Sequence, residues 1–348
     1  MARSVAESFE LTAPDGARVA CTSLRPPGPA SPPLVPFLYG GGGSANTLLE
    51  MRPLLERWWA SGEVPPLHLV SAELGPLGFY LDDPVTNTHA ETIVAEHLLA
   101  AARERFGLGP APAGLLGISM GGYGALKIAL ARPRAFAAVA AVQPMLEPAR
   151  YAHQAPPRNR FYFAPGMPPR LLGDQRDPGL YAADHPIGRA IAHAAELREH
   201  GPAIYLEAGD CDALNAHDGA ELLHRVLWEL DIGHEYRLVH GGDHGGPTLA
   251  PRLREAMAWL GRRLHPPVDP GLSPDERAWV AFIEGGMQGE PPPAISAQSP
   301  VFLRRLRAML EPARRAAAQR DPTVARRYGR LPPLAELELD DGDDEPPP

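Results

Sequence analysis

From residue 35 to residue 264 the sequence alternates short apolar runs, bounded by glycine and proline, with longer segments of helical period. Strands that take turns with helices return in the same direction, so this rhythm predicts βαβ units around a mostly parallel sheet with helices on both faces. The expected strands are 35–39, 67–72, 114–118, 137–142, 203–207 and 235–239. The expected helices are 45–60, 92–106, 123–131, 220–230 and 249–264. Ahead of them, 8–11 and 18–23 flank the turn Pro14-Asp15-Gly16 and read as an antiparallel hairpin.

Two segments break the rhythm. Residues 143–186 are rich in proline, arginine and aromatics, among them Tyr151, Phe161, Tyr162 and Phe163. An insertion of that length in a compact domain reads as a cap over a site. After Leu264, His265-Pro266-Pro267 marks a boundary, which divides the chain into a catalytic domain over 1–264 and a helical extension over 265–334. The extension opens a helix at Ser273-Pro274-Asp275-Glu276, with Ser273 as cap, and continues in an arginine-rich helical stretch over 301–318. Residues 335–348 are acidic and end in proline, a composition expected of a disordered tail. Such an extension can pack on the main domain or on a second subunit, which would make a homo-oligomer.

The 348 residues are 44% hydrophobic and 22% charged, enough to bury a sizeable core. The net charge of -9 argues against a nucleic-acid or anionic-membrane partner, since both need a basic face. The two cysteines, Cys21 and Cys211, imply no disulfide framework, and Cys211 between Asp210 and Asp212 is a poor thiolate. The N-terminus has no apolar leader segment and no run approaches the roughly 20 apolar residues of a membrane span. A soluble, cytoplasmic protein is expected.

Gly117-Ile118-Ser119-Met120-Gly121 matches G-x-S-x-G. The string alone is weak, but an apolar strand enters it and a small-residue helix leaves it, the strand–turn–helix setting such an elbow requires. The turn projects the Ser119 hydroxyl from the sheet edge, and the N–H of Met120 at the helix start faces a developing oxyanion. Gly40-Gly41-Gly42-Gly43 after an early strand lets a second backbone N–H approach the same oxygen, from Gly41 first and Gly42 second. The same loop also fits a dinucleotide fingerprint, Gly40-x-Gly42-x-x-Ala45. The acidic residue that should end the next strand is misplaced, because Glu63 comes too early and Glu73 too late.

Serine chemistry needs a base and an acid to orient it, in the order Ser, Asp, His along this kind of chain. The strand at 203–207 leads into Gly209-Asp210-Cys211-Asp212, and that at 235–239 into His240-Gly241-Gly242-Asp243-His244. Both lie at C-terminal strand ends, where open parallel sheets build their sites. His244, in the glycine-rich loop, is the expected base, because His240 merely continues the strand. Asp212 is the expected acid, with Asp210 and Asp243 as local turn residues. His240 and His244 have metal-ligand spacing, but the glycines between them oppose a helix and no H-E-x-x-H is present, so no metal is expected.

These residues, together with Phe79-Tyr80-Leu81-Asp82-Asp83 and Gly209 to Leu214, resemble the esterase D / S-formylglutathione hydrolase-like branch of the α/β-hydrolases over about residues 5–264. At fold level the mycolyltransferases are also similar. The resemblance implies the α/β-hydrolase fold and an EC 3.1 carboxylesterase or thioesterase acting on short acyl groups of a small-molecule substrate without a cofactor. It assigns Ser119 as nucleophile, His244 as base, Asp212 as acid and Met120 and Gly41 as oxyanion donors, with Tyr80, Phe161, Tyr162 and Phe163 expected to line the substrate site. Tyr39 departs from the family, where many members have histidine before the glycines. An acyltransferase on the same triad, or a non-catalytic binding protein that kept the fold, are the other functions such a chain could serve.

Overall fold

The computed structural model describes residues 3–28, 32–83, 87–149, 155–163, 184–265, 272–295, 298–299, 301–306 and 309. The chain divides into two compact units, Met1–His265 and Pro266–Pro348.

In the first unit eight strands form one sheet, in spatial order β1-β2-β4-β3-β7-β8-β9-β10. Here β1 is Val5–Thr12, β2 Arg18–Arg25, β3 Leu34–Leu38, β4 His68–Ala72, β7 Ala113–Ile118, β8 Phe136–Val142, β9 Ala203–Gly209 and β10 His234–Val239. From β4 through β10 every pairing is parallel, while β2 runs antiparallel to both of its neighbours. β3 and β4 are buried along their whole length, and β7 along all but its last residue, as unbroken apolar runs require in a sheet covered on both faces. Two short strands, β5 (Asp82–Asp83) and β6 (Thr88–His89), form a separate antiparallel pair that the sequence reading did not anticipate.

Helix α1 (Thr47–Ser61) follows β3. A helical segment then runs through α2 (Ala90–Thr92), a π turn (Ile93–Leu98) and α3 (Leu99–Phe106) to β7. Helix α4 (Met120–Ala131) leaves β7, and α5 (Pro186–Ala192) and α6 (Ala194–His200) precede β9. Helix α7 (Ala216–Glu229) leads to β10, and α8 (Leu249–Leu264) closes the unit. The expected strands and long helices stand where the sequence places them, but α4 starts three residues and α7 four residues earlier than expected. The first turn of α4 is Met120-Gly121-Gly122, and every residue from Met120 to Leu130 is buried. Helices α5 and α6 were also not anticipated; the proline-rich run before them masked the onset. His185 caps α5, accepting from the Ile187 N–H, and Pro186 sits at its start.

Of the segment read as a cap, residues 150–154 and 164–183 lie outside the described residues. Its central part is a 3-10 turn, Pro157–Phe163, tied to the start of α7: Arg158 reaches Asp218 at 2.7 Å and Asn159 Nδ2 donates to Asp218 at 3.1 Å. In the second unit, α9 (Pro274–Glu284) begins with the capping box that Ser273 and Glu276 promise, each side chain accepting the other's backbone N–H. Most of the arginine-rich stretch at 301–318 and the acidic tail at 335–348 lie outside the described residues. No helix among the described residues is long and apolar enough to cross a membrane.

Candidate active site

Ser119 sits between β7 and α4 with φ +57° and ψ −118°, a strained backbone for a residue with a side chain. Two glycines permit the turn. A Cβ on Gly117 would fall 2.0 Å from the Gly121 carbonyl oxygen, and one on Gly121 would fall 1.9 Å from the Leu38 carbonyl oxygen. Strand, turn and helix therefore meet more closely than any side chain allows. The turn is pinned on the sheet side, where the Ser119 N–H donates to Val142 and the Ser119 carbonyl accepts from Met145.

Asp212 and His244 converge on this serine. His244 Nε2 lies 2.8 Å from Ser119 Oγ, and His244 Nδ1 lies 2.8 Å from Asp212 Oδ2. The Asp212 carboxylate accepts only, so Nδ1 carries the proton and Nε2 is left as acceptor for the Ser119 hydroxyl. The Asp212 carboxylate is wholly buried and its second oxygen accepts the Leu214 N–H at 2.7 Å, while the His244 ring is 18% exposed. A buried, doubly held carboxylate beside a partly open imidazole fixes the ring without closing access to the serine.

The two other aspartates do different work. Asp210 accepts from the Gly241 N–H and from the His240 imidazole, both at 2.6 Å, and the His240 bond leads in holding its carboxyl below the ordinary value. The His240 side chain is 99% exposed. Asp243 accepts from the N–H groups of Ala213 and His244, which hold its carboxyl low and tie the acid loop to the histidine loop. The two histidines thus turn to separate aspartates.

On the other side of Ser119 lies the glycine loop. A Cβ on Gly40 would lie 3.4 Å from Ser119 Cβ, so the loop passes directly against the serine. Among the described residues the N–H groups of Met120 and Gly41 donate to no protein acceptor, whereas the Gly42 N–H is spent on the Pro76 carbonyl at 2.8 Å. Of the two loop glycines, Gly41 is the one with an N–H to offer. Met120 adds the positive end of the α4 dipole.

A family model described as "Putative esterase" matches residues 76–246. Among solved structures the chain resembles a ferulic acid esterase (17% identity, TM-score 0.60, 75% of this chain and 99% of that one). It resembles equally FphF, a fluorophosphonate-binding serine hydrolase of Staphylococcus aureus (16% identity, TM-score 0.60, the same coverage). An S-formylglutathione hydrolase from Agrobacterium tumefaciens is similar as well (19% identity, TM-score 0.56, 75% of this chain and 96% of that one). No curated protein sequence matches. The chain is a serine hydrolase on the α/β-hydrolase fold, and its residues 76–246 match an esterase family.

In this hydrolase the aromatics expected at the substrate wall are placed differently. Tyr80 is buried: its ring packs against the Cα of Gly124, where an added Cβ would fall 2.5 Å from the ring, and its hydroxyl donates to the Tyr39 carbonyl at 3.1 Å. It is a packing residue, because the backbone turn at Phe79 and Tyr80, both with positive φ, swings it inward. Tyr162 is likewise buried, its hydroxyl 3.6 Å from the Met145 sulfur. The side chains of Phe161 and Phe163 lie outside what the structure describes.

Three residues that the sequence did not single out hold the histidine loop of the hydrolase. Gln143, next after β8 and with φ +41°, donates through Nε2 to the His244 carbonyl, and its own N–H donates to Glu207. Arg252 of α8 donates to the Asp243 carbonyl and forms a buried two-pronged pair with Glu207 of β9, at 2.9 and 2.5 Å. Burial raises the Glu207 carboxyl, and the Arg252 guanidinium works against that rise. The one signal of this clamp in the sequence is Glu207 itself, an acid in the otherwise apolar run Ala203-Ile204-Tyr205-Leu206-Glu207-Ala208.

Proposed function

We propose that this serine hydrolase cleaves short-chain carboxylic esters or thioesters through an acyl-enzyme on Ser119. The observation that carries the reading is the unbroken relay from Asp212 through His244 to Ser119, with both contacts at 2.8 Å. Ser119 Oγ attacks the substrate carbonyl as His244 Nε2 takes its proton, and the N–H groups of Met120 and Gly41 receive the negative charge on the carbonyl oxygen. Collapse expels the alcohol or thiol, which takes the proton from His244. Water then repeats the sequence on the acyl-enzyme and releases the acid. Asp212 stays ionised throughout and stabilises the imidazolium.

Support for a short acyl group comes from packing beside the elbow. Met145 bonds to the Ser119 carbonyl and Tyr162 fills the space behind it, which leaves that side of the serine solid. Of the similar solved structures, one is a ferulic acid esterase and one an S-formylglutathione hydrolase, which is in keeping with ester or thioester cleavage. The reading is tested by Ser119→Ala, which should keep the wild-type melting temperature within a few degrees. It should also lose fluorophosphonate labelling and on the order of 10^6-fold in kcat on acetyl and butyryl esters. An alanine variant with wild-type turnover, or a wild-type enzyme that prefers long acyl chains, overturns it.

A further inference from the structure

We propose that Tyr39 is a positioning residue of the oxyanion site, gripping the Leu74–Pro76 segment so that the loop holds the Gly41 N–H toward the reacting carbonyl. The proposal rests on Gly41 being an oxyanion donor, as read above.

Along the loop, Gly42 donates to Pro76 at 2.8 Å, Gly43 to Gly40 at 3.0 Å, Ser44 to Thr47 Oγ1 at 3.2 Å and Ala45 to Glu73 Oε2 at 2.9 Å. Gly40 and Gly41 remain, neither with an acceptor among the described residues, and Gly41 is the one read above as the donor. Two of those bonds are local to the loop. The bond from Ala45 depends on a side chain of the neighbouring segment and the bond from Gly42 on its backbone. The Gly41 N–H sits on the Gly40–Gly41 peptide, whose carbonyl accepts from Gly43, and the Pro76 carbonyl fixes the peptide that follows, so the loop is anchored on both sides of Gly41.

Pro76 has no N–H of its own and is exposed, so its carbonyl is aimed by the two residues before it. Those two residues are what Tyr39 holds. Its hydroxyl accepts the Leu74 N–H at 2.8 Å and donates to the Gly75 carbonyl at 3.2 Å. The ring that carries this hydroxyl is fully buried at the end of β3, edge-on to Tyr80 at 5.9 Å, and Tyr80 in turn holds the Tyr39 carbonyl. Burial pushes the Tyr39 hydroxyl up to about 12, so it keeps its proton, and with it the ability to donate, across the working range of an esterase. A chain of contacts therefore runs from the core through the Tyr39 hydroxyl, the 74–76 segment and the Gly42 N–H to the free donor. Phenylalanine at 39 would keep the ring and break the chain at one atom.

The experiment uses the full-length enzyme and a short ester. Removing an oxyanion donor outright costs about 10^2- to 10^3-fold in kcat. Tyr39→Phe misaims one without deleting it, so kcat should fall about 10- to 100-fold. KM should stay within about twofold, because the ground-state carbonyl gains little from the donor. The Ki of a boronic acid that forms a tetrahedral adduct on Ser119 should rise by the same factor as kcat falls. Gly41→Pro tests the underlying reading: it deletes the N–H and should depress kcat at least as far. Wild-type kcat in Gly41→Pro sinks the donor reading and the proposal with it. A depressed Gly41→Pro beside a Tyr39→Phe that keeps kcat within twofold, or that loses kcat with an unchanged boronate Ki, sinks the positioning role alone. If Tyr39→Phe does not fold, Pro76→Ala takes its place. That exposed substitution frees the backbone that aims the carbonyl and should show the same split at several-fold size, and a wild-type result there overturns the proposal.

Discussion

Arg252→Met offers the most demanding test of how the histidine loop is held. The wild-type guanidinium is buried, makes two contacts to Glu207 at 2.9 and 2.5 Å, and donates a third bond to the Asp243 carbonyl. Methionine replaces its aliphatic stem but leaves the Glu207 carboxylate buried without its counter-charge. Breaking a buried pair from one side costs about 3–5 kcal/mol, most of it the penalty on the partner left behind. For a unit of this size each kcal/mol moves the melting temperature by roughly 2–4 °C, so a fall of about 6–20 °C is expected. The pH dependence follows from the same carboxyl. Burial already raises Glu207 above its ordinary value, and losing Arg252 raises it further. A carboxyl that binds its proton more tightly in the folded state costs stability as pH rises above its unfolded value, and that cost vanishes as pH falls below it. The deficit of the variant relative to wild type should therefore be larger at pH 7 than at pH 5. Glu207→Gln on top of Arg252→Met should recover part of the loss at pH 7. Thermal melts of the three proteins at the two pH values decide the matter. A deficit below about 1 kcal/mol, or one that grows toward acid, would refute the reasoning.

Two further outcomes follow from contacts at the site. Asp212→Asn should lower kcat by about 10^4-fold by presenting the wrong hydrogen-bonding pattern to His244, whereas Asp210→Asn should keep turnover within severalfold and lose local stability. Steady-state kinetics and melts of the pair separate them, and the reverse result would show that the acid is misassigned. Gly121→Ala should fail to yield soluble folded protein, since its Cβ would fall 1.9 Å from the Leu38 carbonyl oxygen and neither the strand nor α4 can withdraw; a soluble Gly121→Ala with a wild-type melting temperature contradicts the geometry of the elbow.

The sheet was legible because its strands are written as unbroken apolar runs, and parallel strands buried on both faces leave that trace. The start of α4 was not, because Met120-Gly121-Gly122 carries no helical period. Those glycines are chosen for what they let the backbone approach, and a helix that is buried on all sides has no polar face to mark its phase. Tyr80 was misplaced too. The resemblance puts Tyr80 at the substrate site, and the positive φ at Phe79 and Tyr80 turns its ring inward against Gly124.

At the site the division is sharper. Ser119, Asp212 and His244 could be named because the fold confines such groups to the C-terminal ends of particular strands, and order along the chain then narrows the choice. Asp210, Asp212 and Asp243 differ by which backbone N–H groups they face. Gly209 and the turn after it put Asp210 on local backbone and leave Asp212 to swing under the imidazole, an argument that turn chemistry alone supports. The residues that hold these groups still are a different case. Gln143 reaches the His244 carbonyl across 101 positions and Arg252 reaches Glu207 across 45. A glutamine after a strand and an arginine on an amphipathic helix are unremarkable in sequence, since each is equally at home on a surface. Glu207 is the exception, because a carboxylate in the middle of a buried strand must be paired, and the cost of leaving it unpaired makes a partner near it a physical necessity. That necessity leads from one anomalous letter in a strand to Arg252, from Arg252 to the Asp243 carbonyl, and so to the loop that aims His244 at Ser119.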